Sequence, residues 1–245
     1  DAQALLRALM AWSRGEQQVC SMVRPPSPEH EDERRLSRER GTLLKERLRL
    51  SNRIKGLCAA QGVYDYEPLG ADRRERLARL VTGDGRALPG RLAAEIGRQL
   101  DCLELVLRHL AEVEAVRDAR AAQAREEGGS KLAALLRLKG IGPELATVLE
   151  LEVFHRHFAN RRDVAAYAGL APSPYASGGM SREQGISKAG NRRARKALIE
   201  LAWLWLRHQP ESVLARWYRD RVGTATGCVK RIAIVALARK LLVAI

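Results

Sequence analysis

Residues 135–146 read Leu-Leu-Arg-Leu-Lys-Gly-Ile-Gly-Pro-Glu-Leu-Ala, a stretch that predicts the end of one helix and the start of another. The second helix follows a Gly-Ile-Gly-Pro turn, residues 140–143. Gly140 and Gly142 permit a tight turn before it, because glycine adopts backbone angles that other residues avoid. The whole chain is rich in Ala, Leu, Arg and Glu, and only 4% of its residues are aromatic. This composition favours helices, so we predict a mainly α fold.

The same stretch resembles the helix-hairpin-helix motif that holds nucleic acid. The free N–H groups at the start of its second helix would point at a phosphate and bind it without reading base sequence. The alternative is a plain connection between two packed helices. The candidate nucleic-acid-binding residues of the turn are Lys139, Gly140, Ile141 and Gly142.

Two long helices with leucine repeats are predicted upstream. The first starts near Ser27-Pro28 and repeats every seven residues through Leu36, Leu43, Leu50 and Leu57. The second, from about Arg91 to Glu126, steps by four and three through Ile96, Leu100, Leu103, Leu107 and Leu110. We expect a long antiparallel coiled-coil arm over residues 26–127, connected through residues 62–90. An ordinary helical bundle core is the alternative. Glu126-Glu127-Gly128-Gly129-Ser130 is then predicted to be a linker.

The positive charge lies mostly after this linker. Residues 1–130 carry 23 Lys/Arg against 21 Asp/Glu, whereas residues 131–245 carry 20 against 8, within a net charge of +14. Such a concentrated excess indicates a polyanionic partner, most simply nucleic acid. A solubilising charge bias is the alternative.

Two further motifs stand in this basic half. Tyr167-Ala-Gly-Leu-Ala-Pro172 leads into a Pro/Gly-rich stretch, predicted to be a loop, that presents Ser177 before Gly178-Gly179. Gly185-Ile-Ser-Lys-Ala-Gly-Asn191 then leads into a helix that Asn191 is expected to cap. Cations at the start of a helix oppose its dipole, so their placement suits an anion docked there. The candidate nucleic-acid-binding residues of this region are Arg182, Lys188, Asn191, Arg192, Arg193, Arg195 and Lys196.

Taken together, the Gly-Ile-Gly turn, the Ala-Gly-Leu-Ala-Pro run, Ser-Gly-Gly and Gly-Ile-Ser-Lys-Ala-Gly-Asn-Arg resemble the bacterial insertion-sequence transposases. These join a RuvC-like DEDD domain to a serine transposase domain, and some are called bridge-RNA-guided recombinases. Arg24-Pro-Pro-Ser-Pro28 and Asp1-Ala-Gln-Ala-Leu-Leu6 extend the resemblance upstream. It implies the end of a RuvC-like domain at residues 1–25 and a serine transposase domain at residues 131–245.

The resemblance also implies roles for individual residues. Ser177 would be the nucleophile that holds DNA as a phosphoserine ester. Asp1 would be the last of four metal-binding acids, with a divalent metal, Mg²⁺, in the complete protein. We therefore expect the chain to be a fragment that lacks most of the first domain and is inactive alone. A structured guide RNA and a homo-oligomer are the further partners implied besides DNA.

Other classes fit the sequence less well. The cysteines show no paired spacing, so neither a zinc site nor a disulfide framework is predicted. The stretch His155-x-His157 offers too few ligands for a metal site, and no Gly-x-Ser-x-Gly elbow supports a serine hydrolase. No apolar run is long enough for a membrane span, and we expect a cytoplasmic, nucleoid-associated bacterial protein. A non-catalytic helix-hairpin-helix nucleic-acid-binding protein remains the main alternative.

Overall fold

A computed structural model of the chain describes residues 1–16, 18–20, 26–177 and 180–245. For residues 174–177 and 180–184 it describes the backbone only. The predicted chain break at Arg24-Pro25 and the pair Gly178-Gly179 therefore lie outside the described residues. The chain divides into two compact units, Asp1–Glu33 and Arg34–Ile245.

The fold is mainly α, as predicted. The helices are α1 (Ala2–Ser13), α2 (Pro28–Ala59), α3 (Arg73–Ala78), α4 (Gly90–Glu127), α5 (Lys131–Leu136), α6 (Pro143–Leu149), α7 (Arg161–Tyr167), α8 (Arg192–His208), α9 (Val213–Val222) and α10 (Cys228–Ala244). A π-helical turn, Glu150–Phe154, continues α6. None of the helices among the described residues is long and apolar enough to cross a membrane.

The two long helices α2 and α4 run antiparallel and share a core. Leu50 and Ile54 of α2 are buried with Leu100 of α4. Ion pairs join Arg53 to Glu95 at 2.9 Å and Arg40 to Glu114 at 2.7 Å. The later residue of α2 is thus paired with the earlier residue of α4, as antiparallel helices require. The buried side of α2 changes character along its length. Towards its start it buries Arg34 and Ser37, while the leucines at positions 36 and 43 are only half-buried.

The basic half of the chain forms a second core. It is built from α5 to α10, with Leu149, Leu198, Leu201, Leu237 and Leu241 almost fully buried. Helix α8 occupies a central place in it, contacting α6, α10 and the π-helical turn. Its buried side includes Ala194, Ala197, Leu198 and Leu201.

One element differs from the sequence prediction. The Pro/Gly-rich stretch expected to be a loop is a β-hairpin, in which β1 (Pro172–Ser177) pairs antiparallel with β2 (Met180–Ile186). The prolines argued against a strand in the sequence, because proline cannot donate a hydrogen bond to a neighbouring strand. The structure accommodates them with an irregular register between Pro172 and Pro174. Ser177 is thus the last residue of β1, paired with Met180.

Candidate functional site

The hairpin that carries Ser177 leaves the helical core from a closely fitted base. Gly169 has a φ of 66°, and a Cβ placed on it would lie 2.2 Å from the Ala189 carbonyl oxygen. Gly190 has a φ of 105°, and its Cβ would lie 2.4 Å from the Tyr167 carbonyl oxygen. No side chain fits at either position. The two glycine motifs singled out in the sequence are therefore adjacent in space, although twenty residues separate them along the chain.

Backbone hydrogen bonds close the same base. The Asn191 N–H donates to the Tyr167 carbonyl at 2.7 Å, and the Ser187 N–H donates to the Ala171 carbonyl at 2.9 Å. Arg195 adds a side-chain clamp, because its Nη1 donates to the Lys188 carbonyl at 2.9 Å and lies 3.5 Å from that of Ala168. Arg195 thus binds the hairpin base, a use that the sequence did not indicate.

Asn191 joins this base to the start of α8. Its Oδ1 accepts hydrogen bonds from the N–H groups of Arg193 at 3.0 Å and Ala194 at 3.1 Å, which confirms the predicted cap. Its Nδ2 donates to Glu152 Oε2 at 2.8 Å. Glu152 lies on the π-helical turn and only 4% of it is exposed, so a buried carboxylate fixes the capping residue from behind.

A polar network surrounds this carboxylate, and sequence reasoning missed it. Arg38 Nε lies 3.8 Å from Glu152 Oε1. The buried Arg34 donates from Nε to the Leu151 carbonyl at 2.9 Å, and its Nη2 lies 2.8 Å from His155 Nε2. The Tyr167 hydroxyl lies 3.3 Å from Asn191 Nδ2. One signal was available, since Glu152 lies between the apolar residues Leu151 and Val153, but nothing local reveals its partners.

The predicted helix-hairpin-helix turn lies at the other end of α8. Gly140 has a φ of 93°, and its Cβ would lie 3.3 Å from the His208 side chain. Gln209 Nε2 donates to the Lys139 carbonyl at 2.8 Å. Ile141 is buried, so any ligand there would meet its backbone, whereas a Cβ at Gly142 would meet open space.

The predicted nucleic-acid-binding residues consequently form two groups. Lys139 and Gly142 belong to the turn beside His208, whereas Lys188, Arg192 and Lys196 lie exposed near the start of α8. The helix separates its two ends by about 24 Å, from a rise of 1.5 Å per residue. Arg193 is half-buried, close enough to α2 that a Cβ on Gly41 would lie 3.4 Å from its Nη2.

The remaining predicted site residues have less structural context. Arg182 lies in β2, where its backbone is paired with that of Tyr175, and only this backbone is described. Asp1 is exposed in the first unit and precedes α1, to which it gives no side-chain cap. Within the described part of the chain, no three His, Cys, Asp or Glu side chains are grouped as a metal site requires. The residues present therefore do not fit a divalent metal, which needs several oxygen ligands.

Comparisons with known proteins bear on the same region. Residues 132–217 match the family described as "Transposase IS116/IS110/IS902 family". The whole chain is 54% identical to a putative transposase, y4rJ, of Sinorhizobium fredii, and spans 64% of that protein's length. It is 30% identical, over 94% of its length, to a Coxiella burnetii transposase for insertion sequence element IS1111A, of which it spans 61%. It is 27% identical, over 91% of its length, to a Yersinia enterocolitica transposase for IS1328, of which it spans 66%.

Proposed function

We propose, from the match of residues 132–217 to the IS116/IS110/IS902 transposase family, that the complete protein cuts and rejoins the DNA of an insertion sequence with Ser177 as its nucleophile. The observation that carries this proposal is the base of the hairpin. Gly169, Gly190 and Arg195 fix both strands of the hairpin, and Ser177 stands at the end of one of them.

The proposed chemistry has two transfers at one phosphorus. The Ser177 hydroxyl oxygen attacks the phosphodiester, the 3′ oxygen leaves with a proton as a hydroxyl, and the 5′ phosphate stays on the serine. The 3′ hydroxyl of another strand then attacks the phosphoserine ester, which restores the phosphodiester and returns the serine hydroxyl. Each step exchanges one phosphate ester bond for another of similar energy, so no nucleotide cofactor is needed as an energy source.

The helical core has two features that would hold DNA for this reaction. The exposed Arg192 and Lys196 stand near the base of the hairpin, where they would contact backbone phosphates of the bound DNA. The turn at Lys139–Gly142 would act as a helix-hairpin-helix and hold the backbone of the DNA farther along. A protein with such a partner would work at the bacterial nucleoid.

Further partners of the complete protein rest on the resemblance to bridge-RNA-guided recombinases. They are a structured guide RNA that selects sites, a second copy of the chain, and a RuvC-like domain with Asp1 among its acids. Mg²⁺ belongs to this part of the proposal. The metal would be held by that domain, because the described residues of this chain do not fit it.

The test is covalent trapping with the complete protein. A denaturing gel would look for DNA attached to protein in four single variants, Ser173→Ala, Ser177→Ala, Ser181→Ala and Ser187→Ala. We expect only Ser177→Ala to lose the adduct while keeping DNA binding. An undiminished adduct in that variant would remove Ser177 from the mechanism. Binding without any adduct in the unmodified protein would favour the non-catalytic nucleic-acid-binding alternative.

A further inference from the structure

The outer side of α8 carries a row of exposed residues with an unusual composition. These residues follow one another at intervals of four, four, three and four, so they lie along one side of the helix. They are Arg192, Lys196, Glu200, Trp203 and Arg207. We call them the α8 stripe. The stripe holds three cations, one acid and one large aromatic ring.

Several features of the α8 stripe work against the stability of the helix. Arg192 and Lys196 stand four residues apart, a spacing at which like charges repel. Both also lie near the positive end of the helix dipole. Trp203 is 49% exposed, although its ring would gain from burial. Folding gives no reason for these choices, whereas a ligand on the stripe does.

The Trp203 ring is held on one side and open on the other. It makes an edge contact with the buried Tyr218, with ring centroids 6.5 Å apart and an interplanar angle of 70°. A ring braced in this way presents a preformed apolar surface at low cost in side-chain entropy. On the same side of the helix, Arg207 lies one turn after the ring, and Lys196 lies two turns before it, beyond Glu200.

We propose that the α8 stripe binds an unpaired DNA strand, with Trp203 stacking on a base and the flanking cations contacting phosphates. Proteins that bind single strands combine these two elements, a cationic path for the backbone and aromatic rings for the bases. An intact duplex offers no such base, because its bases are stacked on one another. A second copy of the chain is a poorer fit, since the centres of protein interfaces are depleted of charge and four of the five residues here are charged.

The position of the stripe suits the proposed reaction, on which the choice of DNA rests. The stripe starts next to Asn191, where the hairpin carrying Ser177 is anchored, and it runs about 22 Å along α8 towards the turn at Lys139. Strand transfer requires a cleaved strand to leave its complement before it is rejoined. The α8 stripe would hold that strand between the two events.

The test measures equilibrium binding of the 245-residue chain to a short single-stranded oligodeoxynucleotide, its duplex form, and an RNA of the same sequence. Loss of one stacked base should weaken single-strand binding roughly 5- to 100-fold in Trp203→Ala and in Trp203→Leu, which keeps an apolar side chain. Trp203→Phe should restore most of the affinity. The matched control is Tyr64→Ala, which removes an 84% exposed aromatic residue elsewhere and should change nothing.

The outcomes separate clearly. Preferential loss of single-stranded DNA binding in the Ala and Leu variants, with rescue by Phe, supports the proposal. It is overturned by unchanged single-strand affinity, by an equal loss for the duplex, by a larger loss for RNA, or by a change confined to self-association. Because binding does not need the Ser177 hydroxyl, an unaffected adduct assay with a failed binding test would reject the α8 stripe alone.

Discussion

At the scale of single residues, the site depends on positions where a side chain is excluded. Gly169 and Gly190 let two backbone segments approach more closely than any Cβ would allow. At the same base Arg195 donates to the Lys188 carbonyl, and Asn191 accepts from the Arg193 N–H. Close backbone approach of this kind explains why glycine stands at both positions, since any larger residue would push the hairpin away from α8.

We predict that Gly169→Ala destabilises the fold by about 3 kcal/mol or more, measured by chemical denaturation. The cost combines an unfavourable positive φ with a clash against the Ala189 carbonyl. Gly85→Ala is the matched control, because Gly85 also has a positive φ, 82°, but open space around it. The control should cost about 1 kcal/mol. Equal losses in the two variants would show that the hairpin base tolerates a side chain.

Asn191 supports a second prediction at this scale. Asn191→Ala removes the cap of α8 and also leaves the buried Glu152 carboxylate without its 2.8 Å donor. We expect a loss of about 2–3 kcal/mol in the free energy of unfolding. Asn160→Ala removes the equivalent cap of α7, where Asn160 Oδ1 accepts from the Arg162 N–H at 2.8 Å on an exposed surface. That variant should lose only about 1 kcal/mol. If both variants lose the same amount, the link to Glu152 adds nothing.

At the scale of elements, local periodicity predicted the helices and missed the hairpin. The four-and-three spacing of Ile96, Leu100, Leu103 and Leu110 does correspond to buried positions of α4. The hairpin depends on pairing between residues 172–177 and 180–186, and prolines in the first strand hide its pattern. The contact of Glu152 with Asn191 spans 39 residues, so no repeat in the sequence reveals it.

The core between α2 and α4 gives a prediction for alkaline pH. Burial raises the pKa of Tyr66 from 10 to about 12, and its hydroxyl donates to the Arg73 carbonyl at 2.8 Å. The folded protein holds the phenol proton more tightly than the unfolded chain does. The contribution of Tyr66 to the free energy of unfolding is therefore complete below pH 10 and is lost as the pH rises towards 12. Denaturation across that window should show a steeper loss of stability in the unmodified protein than in Tyr66→Phe. Parallel curves would contradict the assignment.

At the scale of the whole molecule, charge is concentrated where the site lies. Twenty of the 43 Lys/Arg residues, but only eight of the 29 Asp/Glu residues, belong to residues 131–245. Between α2 and α4, by contrast, arginines are paired with acids across the helices, as Arg40 is with Glu114. Cations held in ion pairs contribute little to a polyanion site, so the second half of the chain is where we expect nucleic acid to bind.

We therefore predict strongly salt-dependent binding of the 245-residue chain to DNA. If about six phosphates are contacted, affinity should fall roughly 10³-fold between 50 and 200 mM salt. Arg192→Ala together with Lys196→Ala should lower the slope by about 2 and weaken all DNA sequences alike. Lys45→Ala with Arg108→Ala, two exposed cations of the arm, is the matched control and should leave the slope unchanged. Flat affinity across the salt range would contradict the charge assignment.

If DNA becomes covalently attached to Ser177, mass spectrometry of the attachment site will find the phosphate on that residue. The complete protein would be allowed to react with its DNA, denatured, and digested with nuclease and protease. We predict one peptide that carries a nucleotide remnant, with the phosphate on the Ser177 oxygen. A remnant on Ser173, Ser181, Ser187 or any other residue, in a reaction that joins DNA normally, would contradict the account.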